Sequence, residues 1–133
     1  MRYLLDSNIC IYAMKNRPLQ VLRRLQNVGR AAVAVSVITV VELRQGAEGS
    51  QHPELAHGRL DDFLEPIVVL PFEDADAQVA ARIRAQLFRV GRPIGDLDTL
   101  IAAQALARNL VVVTNNVDEF ERVPDLDIIN WAE

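Results

Sequence analysis

Lysine is almost missing from this chain, cysteine nearly so, and aromatic residues are few. A lone Cys10 among 133 residues cannot close an intrachain disulfide, which removes the disulfide-stapled class and points to a reducing compartment. With that single cysteine and two histidines, His52 and His57, in what reads as a polar loop, no zinc-ligand cluster is available. The longest apolar stretch, residues 31–43, is too short for a bilayer and is interrupted by Ser36, Thr39 and Glu42. The start, Met1-Arg2-Tyr3-Leu4-Leu5-Asp6, meets an acid too early for a signal-peptide core. A soluble, cytoplasmic protein with no membrane partner is therefore expected. Neither Gly-x-x-x-x-Gly-Lys-Ser/Thr nor Gly-x-Gly-x-x-Gly occurs, which excludes nucleotide binding through those loops.

What is present is ordinary in amount and informative in order. Half the residues are hydrophobic, enough for one sizeable core in a single domain over residues 1–133. The net charge of −4 argues against a protein that coats nucleic acid indiscriminately, but it leaves room for an acidic metal site with a local basic rim. The cations are thirteen arginines and Lys15. Arginine binds phosphate through a rigid fork, which suits RNA, although a compositional bias of the genome explains the preference equally well. Arg82 and Arg89 share a helix face, and Arg92, just before a Pro-Ile-Gly loop, is the cation expected nearest the acids described below.

Short apolar runs alternate with helical segments, the pattern of βαβ units. It predicts an α/β fold with a central parallel sheet of about five strands flanked by helices. Strands are expected at residues 3–5, 32–35, 67–70, 110–114 and 127–129. Helices are expected at 7–14, from Pro18 to 26, from a Ser36 cap to 48, and at 54–64. The longest helix should start from an Asp74 cap and bury Ala75, Val79, Ile83, Leu87 and Val90. A loop at 91–95 and an alanine-rich helix at 97–109 follow, with a turn at 120–124 before the last strand.

Acids fall at the joints of this pattern. Asp6 ends the first strand, Glu42 lies about two turns into the helix after the second, and Asp96 and Asp98 open the helix before the fourth. The fourth strand runs into Thr114-Asn115-Asn116-Val117-Asp118-Glu119. Each has a local explanation: Asp6 as a strand end or cap, Glu42 in a solvated stripe with Ser36 and Thr39, Asp96 and Asp98 as first-turn acids, the last group as turn chemistry. Together they could meet beyond the carboxyl ends of the strands, where open parallel sheets bind ligands. Gathered carboxylates repel one another unless a cation lies between them. A hard divalent ion on oxygen ligands, and phosphate chemistry, follow from that.

Four segments then carry a resemblance. They are Leu5-Asp6-Ser7-Asn8, Glu42-Leu43-Arg44-Gln45-Gly46, Pro93-Ile94-Gly95-Asp96-Leu97-Asp98 with Ile101-Ala102-Ala103, and Val113-Thr114-Asn115-Asn116 with Glu119-Phe120. In this order they resemble PIN-domain ribonucleases, and more narrowly the VapC toxins of bacterial toxin–antitoxin modules, over essentially the whole chain. The resemblance implies that Asp6 and Asp98 are the central Mg²⁺-binding aspartates and that Glu42 is the third acid. For the fourth it leaves Asn116, where some PIN domains have Asp, and Glu119, the acid in members with Thr-Asn-Asn. Asp96 would be an extra ligand or only a cap, while Thr114 and Asn115 would shape the pocket. It further implies one or two Mg²⁺ (or Mn²⁺) ions activating water, structured RNA such as tRNA as substrate, a homodimer, and a cognate VapB-like antitoxin. Two other readings are a non-catalytic PIN-like binding module and a haloacid-dehalogenase-like phosphatase. The latter needs a second acid where Asn8 stands.

Overall fold

A computed structural model describes all of residues 1–133. Five strands, β1 (Tyr3–Leu5), β2 (Val33–Ser36), β3 (Val68–Leu70), β4 (Val111–Val113) and β5 (Ile128–Ile129), form one parallel sheet in the order β3-β2-β1-β4-β5. Between them run α1 (Ser7–Lys15) and α2 (Leu19–Val28) after β1, α3 (Val37–Glu48) and α4 (Pro53–Leu64) after β2, α5 (Asp74–Arg89) and α6 (Asp96–Arg108) after β3, and the single turn α7 (Val117–Phe120) after β4. Strands buried on both faces need unbroken apolar runs, and Leu4, Leu5, Val33, Ala34, Val35, Val112 and Val113 are all fully buried.

Alternation along each strand divides the core into two layers. Leu4, Ala34 and Val112 face one way, onto Ile83 and Leu87 of α5 and Ile101, Ala102 and Ala105 of α6. Leu5, Val33, Val35 and Val113 face the other, onto Ile9 and Ala13 of α1, Val21 and Leu25 of α2, Leu43 of α3 and Leu60 of α4.

β1 is central, and this places the site. The chain leaves β1 through α1 and α2 toward β2 on one side, and leaves β4 through α7 toward β5 on the other. Between two strands whose connections diverge a crevice must open, here at the carboxyl ends of β1 and β4.

Several expectations shift by local physics. Pro18 caps α2 from outside rather than forming its first turn, and His57 lies within α4, inside the helix expected at 54–64 and not in the polar loop. Glu73, not Asp74, caps α5: Asp76 accepts the Glu73 backbone N–H at 2.8 Å in a capping box. The buried face of α5 is accordingly Asp76, Ala80, Ile83 and Leu87, and Val90, past the last turn, is 63% exposed. The turn expected at 120–124 is preceded by a helical turn already at Val117.

Candidate active site

Asp6 is the anchor of the crevice. It caps α1, accepting the Ser7 N–H at 2.7 Å on Oδ1, and accepts the Thr114 hydroxyl at 2.7 Å on Oδ2. That hydroxyl in turn accepts the Asn116 N–H at 2.9 Å, so the first residues after β1 and β4 are tied together. Only 4% exposed, Asp6 has its carboxyl pushed above the usual range by burial, against the opposing pull of the Thr114 and Ser7 bonds. Capping and membership of the acidic group are thus one role.

Glu42 approaches from α3. Ser36 caps that helix through the Ile38 N–H, and Ser36 and Thr39 are fully buried, so the solvated-stripe explanation of Glu42 fails. One of its oxygens, Oε1, is buried with no hydrogen-bond partner, and burial together with the Asp6 charge holds its carboxyl above the usual range. Asp98 stands in the first turn of α6. Burial, followed by the charges of Asp6, Glu119 and Glu42, pushes it up to about 7. Four acids from four separate segments therefore feel one another.

Glu119, on α7, differs in sign. The Gly95 N–H donates to its Oε1 at 2.5 Å and the Asn116 amide to its Oε2 at 2.7 Å. These bonds, the Gly95 bond foremost, hold its carboxyl below the usual range, with Arg122 contributing by charge. Asp98, when protonated, donates to Glu119.

The secondary candidates separate. Asn116 supports Glu119, Thr114 supports Asp6, and Asn115 donates to the Tyr12 hydroxyl at 2.9 Å. Asp96 turns away, exposed and paired with Arg84. Arg92 is exposed and makes no side-chain hydrogen bond or ion pair, so the cation the structure sets against the acids is Arg122, which donates to the Pro93 carbonyl at 3.0 Å. Sequence reasoning missed Arg122. Its signal was the Glu-x-x-Arg spacing from Glu119, which places both on one side of a helical turn. Asn8, where a phosphatase of the haloacid-dehalogenase kind needs an acid, is exposed on α1.

The donor set fits a hard divalent cation. Every ligand-type atom is a carboxylate oxygen, Glu42 Oε1 lacks a partner, and the raised values of Asp6, Glu42 and Asp98 come from burial first and then from mutual repulsion, both of which a cation offsets. No three acids or histidines stand close enough together to cage an ion. A cavity of about 670 Å³ lies elsewhere, between α1, α3 and α4 over Ile11, Met14, Leu43, Leu60 and Phe63. It touches the acids only through Glu42.

The chain is similar to known proteins over its whole length. The PIN domain profile matches residues 3–126. The tRNA(fMet)-specific endonuclease VapC of Shigella flexneri is 42% identical over 132 residues, 99% of each chain, and Ribonuclease VapC2 of Haemophilus influenzae is 43% identical over 133 residues, again 99% of each. Among solved structures, DNA-bound VapBC from Salmonella typhimurium superposes with a TM-score of 0.92 at 40% identity, covering 98% of both chains. The chain is a PIN domain and belongs to the VapC ribonuclease family.

Proposed function

We propose that this ribonuclease is the toxin of a toxin–antitoxin pair, a Mg²⁺-dependent (or Mn²⁺-dependent) endonuclease that cuts a structured RNA, a tRNA, at a defined place. The observation that supports it most is the meeting of Asp6, Glu42 and Asp98 at the β1/β4 crevice, with one Glu42 oxygen buried and unpartnered. Asp6 and Asp98 would hold the metal, with Glu42 as the third acid and Glu119 standing beside them as the fourth. A bound divalent ion supplies an activated water and neutralises charge at the scissile phosphate.

The chain's own part is positioning. Ser7 and Thr114 fix the Asp6 carboxylate from both sides, and α6 presents Asp98 from its first turn. No side-chain nucleophile is needed. Cys10 is fully buried, and its thiol is pushed far above its ordinary value by burial. A tRNA substrate is proposed from the tRNA(fMet) specificity in the Shigella relative's name, and a VapB-like antitoxin from the VapBC assemblies of the structural relatives. An antitoxin segment lying in the apolar groove between α1, α3 and α4 would reach Glu42 at its edge. A homodimer, alone or within a larger complex with antitoxin, is the proposed assembly.

The test is cleavage of a total small-RNA pool by protein freed of antitoxin, with Mg²⁺, with Mn²⁺, with EDTA, and beside Asp98→Asn. Discrete fragments that disappear with EDTA and in the variant are expected, and their ends identify the target. Cutting that survives in Asp98→Asn sinks the assignment.

A further inference from the structure

The oxygens of Glu119 are already engaged in a way those of Glu42 are not. Oε1 accepts the backbone N–H of Gly95, the residue that immediately precedes α6, and Oε2 accepts from Asn116. The Gly95 carbonyl takes both the N–H and the hydroxyl of Thr99, each at 2.9 Å, so whatever fixes Gly95 fixes the first turn of α6. The approach is close. A Cβ on Gly95 would stand 3.3 Å from Glu119 Oε1 and 3.7 Å from Asp98 Oδ2. Two residues earlier, the Pro93 carbonyl accepts from Arg122, whose own backbone N–H bonds the Glu119 carbonyl at 3.2 Å. Arg122 Nε is buried without a partner, so the guanidinium is held over the loop at a desolvation cost.

We propose that Glu119 and Arg122 are positioning residues, a two-point latch that ties the 91–95 loop to α7 and so fixes where Asp98 stands. The connection between α5 and α6 is otherwise exposed at Gly91, Arg92 and Pro93. The latch closes it from the far side of the crevice, from the segment that follows β4. Glu119 then acts on the reaction through Asp98 rather than by ligating metal. The consequence for catalysis rests on the nuclease reading above, but the latch itself does not.

The experiment compares wild type with Glu119→Ala, Glu119→Gln, Arg122→Ala and the double alanine variant. Amide exchange read by mass spectrometry comes first, with Mn²⁺ affinity and RNA cleavage beside it. Exchange in the peptide over residues 91–98 should quicken by about fivefold or more in both single alanine variants, while β1 and β4 stay protected as the folding control. Cleavage should fall by about 10- to 100-fold through kcat, the scale of a misplaced catalytic group, with the double variant little worse than either single. Glu119→Gln, which keeps an acceptor for Gly95, should recover most of the loss. Unchanged exchange at 91–98 in both alanine variants overturns the latch. So does a Glu119→Gln protein as inactive as Glu119→Ala while its exchange at 91–98 stays as slow as in wild type, since the carboxylate charge and not the bond to Gly95 would then be what the reaction needs. Cleavage indifferent to Asp98→Asn would instead refute the nuclease reading and leave the exchange result to decide the latch.

Discussion

A carboxylate buried beside other carboxylates stores repulsion, and the sign of its response to pH is fixed by that. Asp98 has an ordinary value of 3.8 and is pushed up to about 7 in the folded chain. Between these values the folded protein keeps a proton that the unfolded chain has released, so the metal-free protein should lose stability as pH rises from about 4 to 7. Asp98→Asn removes the charge, and its melting temperature without metal should exceed wild type at pH 8 and match it near pH 4; thermal melts at both pH values check this. Thr114→Val takes the hydroxyl from Asp6 and should cost about 1–3 kcal/mol, measured by denaturant unfolding, with cleavage lowered as well. At this scale the sequence was generous about acids and poor about what holds them. Asp6, Glu42 and Asp98 were legible because each interrupts or opens an apolar element. Arg122 was not, because its partner is the backbone of a loop 29 residues away, whereas Arg92, singled out by its place before that loop, is exposed and forms no ion pair with the acids.

Elements are aimed by their ends. Gln104 and Arg108 near the end of α6 both reach the Pro71 carbonyl, and Arg108 also pairs with Glu73 and with Asp76, whose side chain is 2% exposed. The α6 terminus remote from Asp98 is thereby fastened to the start of α5. Arg108→Ala should destabilise by about 1.5–3 kcal/mol, since a buried carboxylate loses a charged partner; equilibrium unfolding measures it, and a loss within error would show the tie to be idle. The same Asp76 explains why the start of the stripe on α5 was misplaced at Ala75, while Ile83 and Leu87 lie in the core as expected and Val79 packs against it. A periodicity count gives apolar positions to the core and acids to solvent, whereas here an acid earns burial by capping one helix and pairing with the end of another. Helix ends decided by a single N-cap bond, such as Ser36 on Ile38, were legible directly. The short α7 was not, since a four-residue turn leaves no period to detect.

For the whole molecule, alternation of strand and helix was enough to predict a parallel sheet, but the order β3-β2-β1-β4-β5 depends on pairings between distant segments that no local pattern encodes. That order makes the crevice, and the crevice makes a global prediction. Mg²⁺ should raise the melting temperature, more at pH 8 than at pH 5.5, and EDTA should reverse it, because ligand binding adds stability by mass action and protons compete for the same carboxylates. A Mg²⁺ effect equal at both pH values would place the ion elsewhere. The bond between Asp6 and Thr114 closes across 108 positions of chain. A polypeptide still emerging from the ribosome has made Asp6 long before β4, and until β4 emerges and pairs with β1, that carboxylate lacks its hydroxyl partner and Asp98 lacks the segment opposite it. The acids can therefore be gathered only once β4 and α7 have been made, so the crevice is among the last parts of the fold to be completed as the chain is synthesised.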